Sequence, residues 1–113
     1  MQVKQKVKGA VTICSISGEI PIDTVEDLKK KFKKLVTDKT RKVILNFKDL
    51  DYIDSAGLAS LIQFSKDLKG IQGAVFFSNL SPKIISLFAI TKLENAFPIY
   101  ETEEAAVSDF YGY

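Results

Sequence analysis

Three aspartates, Asp49, Asp51 and Asp54, lie close together in the chain and run directly into a serine, Ser55. Carboxylates at that spacing after an apolar run suit a hard cation such as Mg²⁺, held through carboxylate oxygens and water. Asp49-Leu50-Asp51 also has the D-x-D form in which an aspartate nucleophile for phosphoryl transfer can follow a strand. The plainer reading is that these aspartates are turn formers and that Asp54 only orients what comes next. Ser55 poses a similar choice. It is either a helix N-cap, its oxygen accepting from an unpaired backbone N–H of the first turn, or a hydroxyl displayed for chemistry at the junction of a strand and a helix.

Composition removes several other chemistries. The chain has no histidine, and with it go the usual general base, the commonest transition-metal ligand and the physiological pH switch. Cys14 is the only cysteine, so neither an intramolecular disulfide nor a thiolate metal cluster can form, and its apolar neighbours from Val11 to Ile16 suit a buried, unreactive thiol. The net charge of +2 hides an asymmetry: residues 1–48 carry 12 Lys+Arg against 5 Asp+Glu, and residues 49–113 carry 4 against 9. Lys29, Lys30, Lys31, Lys33 and Lys34 fall mostly off an apolar helical stripe, as a solvated face does, and the single arginine, Arg41, is poor equipment for reading phosphates or bases. No direct nucleic-acid partner is expected. No run of about 18 apolar residues is present to span a bilayer, and the start, MQVKQKVKG, lacks the apolar core of a signal peptide. The expectation is a cytoplasmic protein without membrane insertion.

The elements that must position Asp54 and Ser55 follow from periodicity and turn chemistry. Val3 to Val7 and Val11 to Ser17 predict a hairpin around Lys8-Gly9, and Gly18-Glu19-Ile20-Pro21 is expected to break its second strand. Asp23 with Glu26 reads as a capping box for a first helix carrying Val25, Leu28, Phe32, Leu35 and Val36 and ending near Thr37. Val43 to Phe47 is a strand buried on both faces, Lys48 to Asp54 an acidic loop, and Ser55-Ala56-Gly57 the start of a second helix. That helix turns Leu58, Leu61, Ile62, Ser65 and Leu68 inward and closes near Gly70 or Gly73. Ala74 to Ser78 is the next strand, Ser81-Pro82 opens a third helix, and Ile99-Tyr100 is a short edge strand. Thr102 caps a last helix whose Glu103 and Glu104 face the positive dipole end. Gly70 and Gly73 form a turn, not a phosphate loop. The order predicts an α/β fold in one domain, residues 1–113, with a mixed sheet of four to five strands and four or so α-helices.

From Val43 to Ile62 the sequence resembles the signature of STAS domains, the family of bacterial anti-sigma factor antagonists: an apolar strand, an acidic loop, then Asp54-Ser55-Ala56-Gly57-Leu58 opening a helix. The likeness extends to the leading hairpin, to Gly18-Glu19-Ile20 before the first helix and to Ser81-Pro82 before the third. It implies a binding module with no cofactor, not an enzyme. It further implies that Ser55 is phosphorylated by a partner that is both anti-sigma factor and serine kinase, and that a PP2C-type phosphatase reverses the mark. The unphosphorylated protein would bind the kinase and free the sigma factor. The partner-binding residues so implied are Asp54, Ser55, Ala56, Gly57 and Leu58, with Gly57 admitting the partner closely, and Ile20, Pro21 and Asp23 on the adjoining turn. Pro21 stands where many members have an aspartate, which leaves open whether Asp23 replaces it. Ala56 leaves a single hydroxyl at the site. Alternative roles are a STAS subunit of a lipid-transport or stress-sensing complex and, more distantly, an Mg-dependent aspartate phosphotransferase using Asp49 and Asp51.

Overall fold

A computed structural model describes residues 1–111. Strands β1 (Gln2–Lys8) and β2 (Val11–Ile20) form an antiparallel hairpin, and its turn uses Gly9 at φ 61°, in the left-handed region that glycine enters without strain. A 3-10 turn (Ile22–Thr24) leads into α1 (Val25–Thr37). There follow β3 (Lys42–Asn46), β4 (Leu50–Ile53), α2 (Ser55–Gly70), β5 (Ala74–Ser78), α3 (Pro82–Ile90), β6 (Ile99–Tyr100) and α4 (Glu103–Tyr111). The sheet runs β1-β2-β3-β5-β6, with β4 beside β2. Only the β1–β2 pair is antiparallel; β2–β3, β3–β5, β5–β6 and β2–β4 are parallel.

This is the mixed α/β sheet expected, with one more strand than the periodicity disclosed. Part of the acidic segment is β4, whose Leu50 and Ile53 are buried while Asp51 and Tyr52 face out. Its partner is the far end of β2, which does not break at Gly18. That glycine sits at φ 84° and the ladder shifts register between Gly18 and Glu19. The strand continues to Ile20 and stops where Pro21 has no N–H to offer. β2 therefore pairs with β3 over Thr12–Ser15 and with β4 over Gly18–Ile20.

The central strand is covered on both faces, as its continuous β-branched run requires. Val43 and Leu45 join the core beneath α1, α2 and α3, whereas Ile44 joins the smaller core beneath α4 with Ile13, Phe76, Ala106 and Phe110. On α2 the buried positions are Gly57, Leu58, Ser60, Leu61, Phe64 and Leu68. Phe64 takes the place expected for Ile62, which is exposed, because Phe32 of α1 stacks on it with ring centroids 4.1 Å apart. The Asp23–Glu26 capping box does not form. Asp23 lies within the 3-10 turn, α1 has no side-chain cap, and the Thr24 hydroxyl donates to the Pro21 carbonyl at 2.9 Å.

Candidate functional site

β2 and β4 end side by side, Ile20 opposite Ile53. One residue further on, the Asp54 N–H donates to the Ile20 carbonyl at 2.9 Å. That bond ties the start of α2 to the residue before Pro21, so segments 20–23 and 54–58, far apart in sequence, meet at one end of the sheet. Asp54 itself is extended (φ −74°, ψ 161°), the backbone state of an N-cap, and its Oδ1 accepts the Ala56 N–H at 2.9 Å. The capping role offered to Ser55 thus belongs to Asp54, whose carboxylate is at least as good an acceptor there.

Ser55 becomes the first residue of α2, exposed to solvent. Its Oγ lies 3.5 Å from Asp54 Oδ1, too long for a strong O–H···O bond, and makes no other hydrogen bond among the described residues. The hydroxyl stands at the positive end of a 16-residue helix, where unpaired N–H groups and the dipole favour an added anion. Ser60, another hydroxyl of α2, is buried and donates to the Gly57 carbonyl at 2.6 Å. It is not open to a modifying enzyme.

The predicted partner-binding residues divide between surface and support. Ser55 and Asp23 are exposed, and Asp54, Ala56 and Pro21 are half-buried. Ile20 and Leu58 are buried at 0% and 7% exposure, so they hold the surface up from below. Gly57 is buried as well. A β-carbon there would come within 2.7 Å of Ile53 Cγ1 and 3.4 Å of Ile20 Cγ2, so its bareness lets α2 settle on β2 and β4. Two apolar side chains on the bordering segments went unnoticed in the sequence: Ile22, 69% exposed, and Tyr52, 47% exposed. The signal for Ile22 was its place directly after a proline, in a turn too short to bury it.

The three aspartates do not converge. Asp49 lines a polar trough with Lys4, Lys6 and Lys48, Asp51 faces α3 across an apolar groove, and Asp54 caps α2. Asp49 lies just before β4, Asp51 within it and Asp54 just after it at the cap of α2, so a different element places each carboxylate. Among the described residues no group of three or more His, Cys, Asp or Glu is placed to hold a metal ion. The carboxylate that is held in a network is Glu103, expected only to complement a helix dipole. It is buried and accepts Asn46 Nδ2 at 3.1 Å, Lys6 Nζ at 2.9 Å and Lys8 Nζ at 3.5 Å. Burial would raise its pKa, but the hydrogen bonds from Lys6, Asn46 and Lys8 and the Lys6 charge outweigh burial and hold it below the ordinary value.

An open α/β sheet with this element order and an Asp-Ser-Ala-Gly-Leu helix start defines the class. The STAS domain model matches residues 2–106, and the chain belongs to that family. BtrV of Bordetella bronchiseptica, which bears the name of an anti-sigma factor antagonist, is 30% identical over 105 residues, 93% of this chain and 90% of its own. The anti-sigma-B factor antagonist of Staphylococcus aureus is 28% identical over 89 residues, 79% of this chain and 82% of its own. Among solved structures, the anti-sigma factor antagonist SpoIIAA in its unphosphorylated form has TM-score 0.85 at 21% identity, covering 99% of this chain and 98% of that one. The phosphorylated form of Bacillus SpoIIAA has TM-score 0.75 at 22% identity, covering 96% and 99%. At such identity these structures show the fold. No helix among the described residues is long and apolar enough to cross a membrane.

Proposed function

We propose that this chain is an anti-sigma factor antagonist that works as a single cytoplasmic STAS domain and is switched by phosphorylation of Ser55. The observation that carries this reading is the division of labour at the start of α2: Asp54 performs the cap, and the Ser55 hydroxyl is left exposed with no structural duty. The names of the two curated relatives support the antagonist role, and SpoIIAA, of the same fold, occurs in a phosphorylated form.

In this mechanism the unphosphorylated surface around Ser55, Asp54, Ala56, Pro21 and Asp23 binds an anti-sigma factor that is also a serine kinase. The sigma factor is released. Transfer of a phosphoryl group to Ser55 Oγ places about −1.5 to −2 charges on that surface. A partner face shaped for a neutral hydroxyl then has to desolvate a dianion, and the complex dissociates. A PP2C-type phosphatase restores the hydroxyl. The chain supplies the acceptor and the recognition surface, while kinase and phosphatase supply the chemistry.

The test is site mapping with the kinase encoded in the same genome. Incubated with that kinase and ATP, the wild-type chain should gain one phosphoryl group, located by mass spectrometry on Ser55. Ser55→Ala should bind the kinase with unchanged affinity and take up none. Labelling of Ser55→Ala, or failure of the wild-type chain to bind any anti-sigma factor kinase of its host, would overturn the proposal.

A further inference from the structure

A cavity of about 220 Å³ lies between α1 and the β1–β2 hairpin, lined by none of the residues around Ser55. Its inner wall is formed by Cys14, Ile16, Phe32 and Leu35, all buried, and its rim carries Gln5, Lys31, Asp38 and Thr40. An apolar cavity of about 150 Å³ already takes up a benzene-sized molecule, so this one has room for a short acyl chain. The rim is what makes it selective. Lys34, also at the rim, is matched by Asp38 at 3.0 Å, whereas Lys31 makes no ion pair among the described residues. Burial pushes the Cys14 thiol up to about 11, and the Lys31 ammonium pulls against that rise, so its charge is felt at the cavity wall.

We propose that this cavity binds a small carboxylate with an apolar tail, the carboxylate on Lys31 and the tail against Cys14, Ile16, Phe32 and Leu35. Apolar walls with one or two polar groups at the mouth are the usual form of a small-molecule site, the walls giving affinity and the polar groups orientation. A neutral ligand would gain the walls alone, and a cation would meet Lys31 as a like charge. The site is independent of the Ser55 switch and stands whether or not that reading does.

The probe is octanoate, titrated into the full chain by calorimetry, with octanol as its uncharged counterpart. Cys14, the only cysteine, supplies a second readout through its alkylation rate with N-ethylmaleimide. The expected result is one saturable site that prefers octanoate to octanol by about three- to fivefold, the most that an ion pair at an exposed lysine supplies, with alkylation of Cys14 slowed at saturation. Lys31→Gln, a change at an exposed position that leaves the fold alone, should abolish the preference. Absence of saturable binding, equal binding of the two probes, unchanged Cys14 alkylation at saturating octanoate, or a preference that survives Lys31→Gln would each overturn the proposal.

Discussion

Two helices of this protein begin with the same pair of residue types, a hydroxyl next to a carboxylate, and use them in opposite ways. At the start of α4 the hydroxyl is structural: Thr102 Oγ1 accepts the Ala105 N–H at 3.1 Å. The carboxylate that follows, Glu103, is buried and fastens the helix to β1 and β3 through Lys6, Lys8 and Asn46. At the start of α2 the order is reversed, carboxylate first. Asp54 takes the extended cap position, and the hydroxyl of Ser55 falls on the first helical residue, pointing to solvent. A shift of one place along the chain separates a locked helix start from one with a hydroxyl to spare. The lesson is that residue type does not decide whether a hydroxyl at a helix start is structural; which residue takes the cap does. α3 sides with α4 here, since Ser81 accepts the Ile84 N–H at 3.3 Å.

Substitutions can break or sharpen this comparison. The largest losses should come from the apolar anchors that both helix starts presuppose. Phe110 stacks on Phe76 with centroids 3.7 Å apart beneath α4, and Phe110→Ala should cost about 3 to 5 kcal/mol. Leu61, fully buried beneath α2, should cost about 2 to 5 kcal/mol on truncation to alanine. Denaturant unfolding checks both, and a loss under about 1 kcal/mol at either would mean that helix is not anchored as described.

The carboxylate of α4 comes next. Glu103→Ala leaves the half-buried amide of Asn46 without its acceptor, at about 1 to 3 kcal/mol. Because its pKa is depressed in the folded protein, Glu103 contributes stability above the unfolded carboxylate value of about 4.3. That contribution is lost as pH falls through the lower folded value. Glu103→Gln should therefore flatten the acid limb of the stability profile. An unaltered acid limb in Glu103→Gln would remove the contrast.

The smallest effects are the most diagnostic. Thr102→Ala and Asp54→Ala each delete a cap and should each cost about 0.5 to 2 kcal/mol. Ser55→Ala deletes no cap and should stay within about 0.5 kcal/mol of wild type. Equal losses at Ser55 and Thr102 would show that Ser55 caps after all.

Much of this was legible in the residues. Gly9 marked the hairpin, Ser81-Pro82 the start of α3, Thr102 the cap of α4, and the unbroken Val43-Ile44-Leu45 run a strand covered on both sides. The Asp54–Leu58 motif marked the start of α2. What escaped notice depended on partners distant in the chain. β4 offers only two buried residues in four and exists because the far end of β2 is open to it. Ile62 and Phe64 exchange places because of a ring on α1. Glu103 finds Lys6 and Lys8 across almost the whole sequence, and no periodicity announces that. Gly57 is similar: its meaning lies in Ile53 and Ile20, not in its neighbours along the helix. The choice between Asp54 and Ser55 as cap turned on the backbone angles of one residue, which composition does not set.

Phosphorylation of Ser55 brings these threads to one measurement. In the free protein a phosphate on the first residue of α2 gains about 0.3 to 1 kcal/mol from the helix end, and the adjacent Asp54 carboxylate repels it by a similar amount. The unfolding midpoint should therefore move by less than about 4 °C. In the complex the same group opposes a surface fitted to a hydroxyl, and affinity for the anti-sigma factor should fall by about a hundredfold or more, close to 3 kcal/mol. Thermal unfolding and partner affinity, measured on the same phosphorylated sample, decide the matter. A nearly unchanged midpoint with lost affinity is the predicted result; a large fall in the midpoint with the affinity of the folded fraction intact would contradict it.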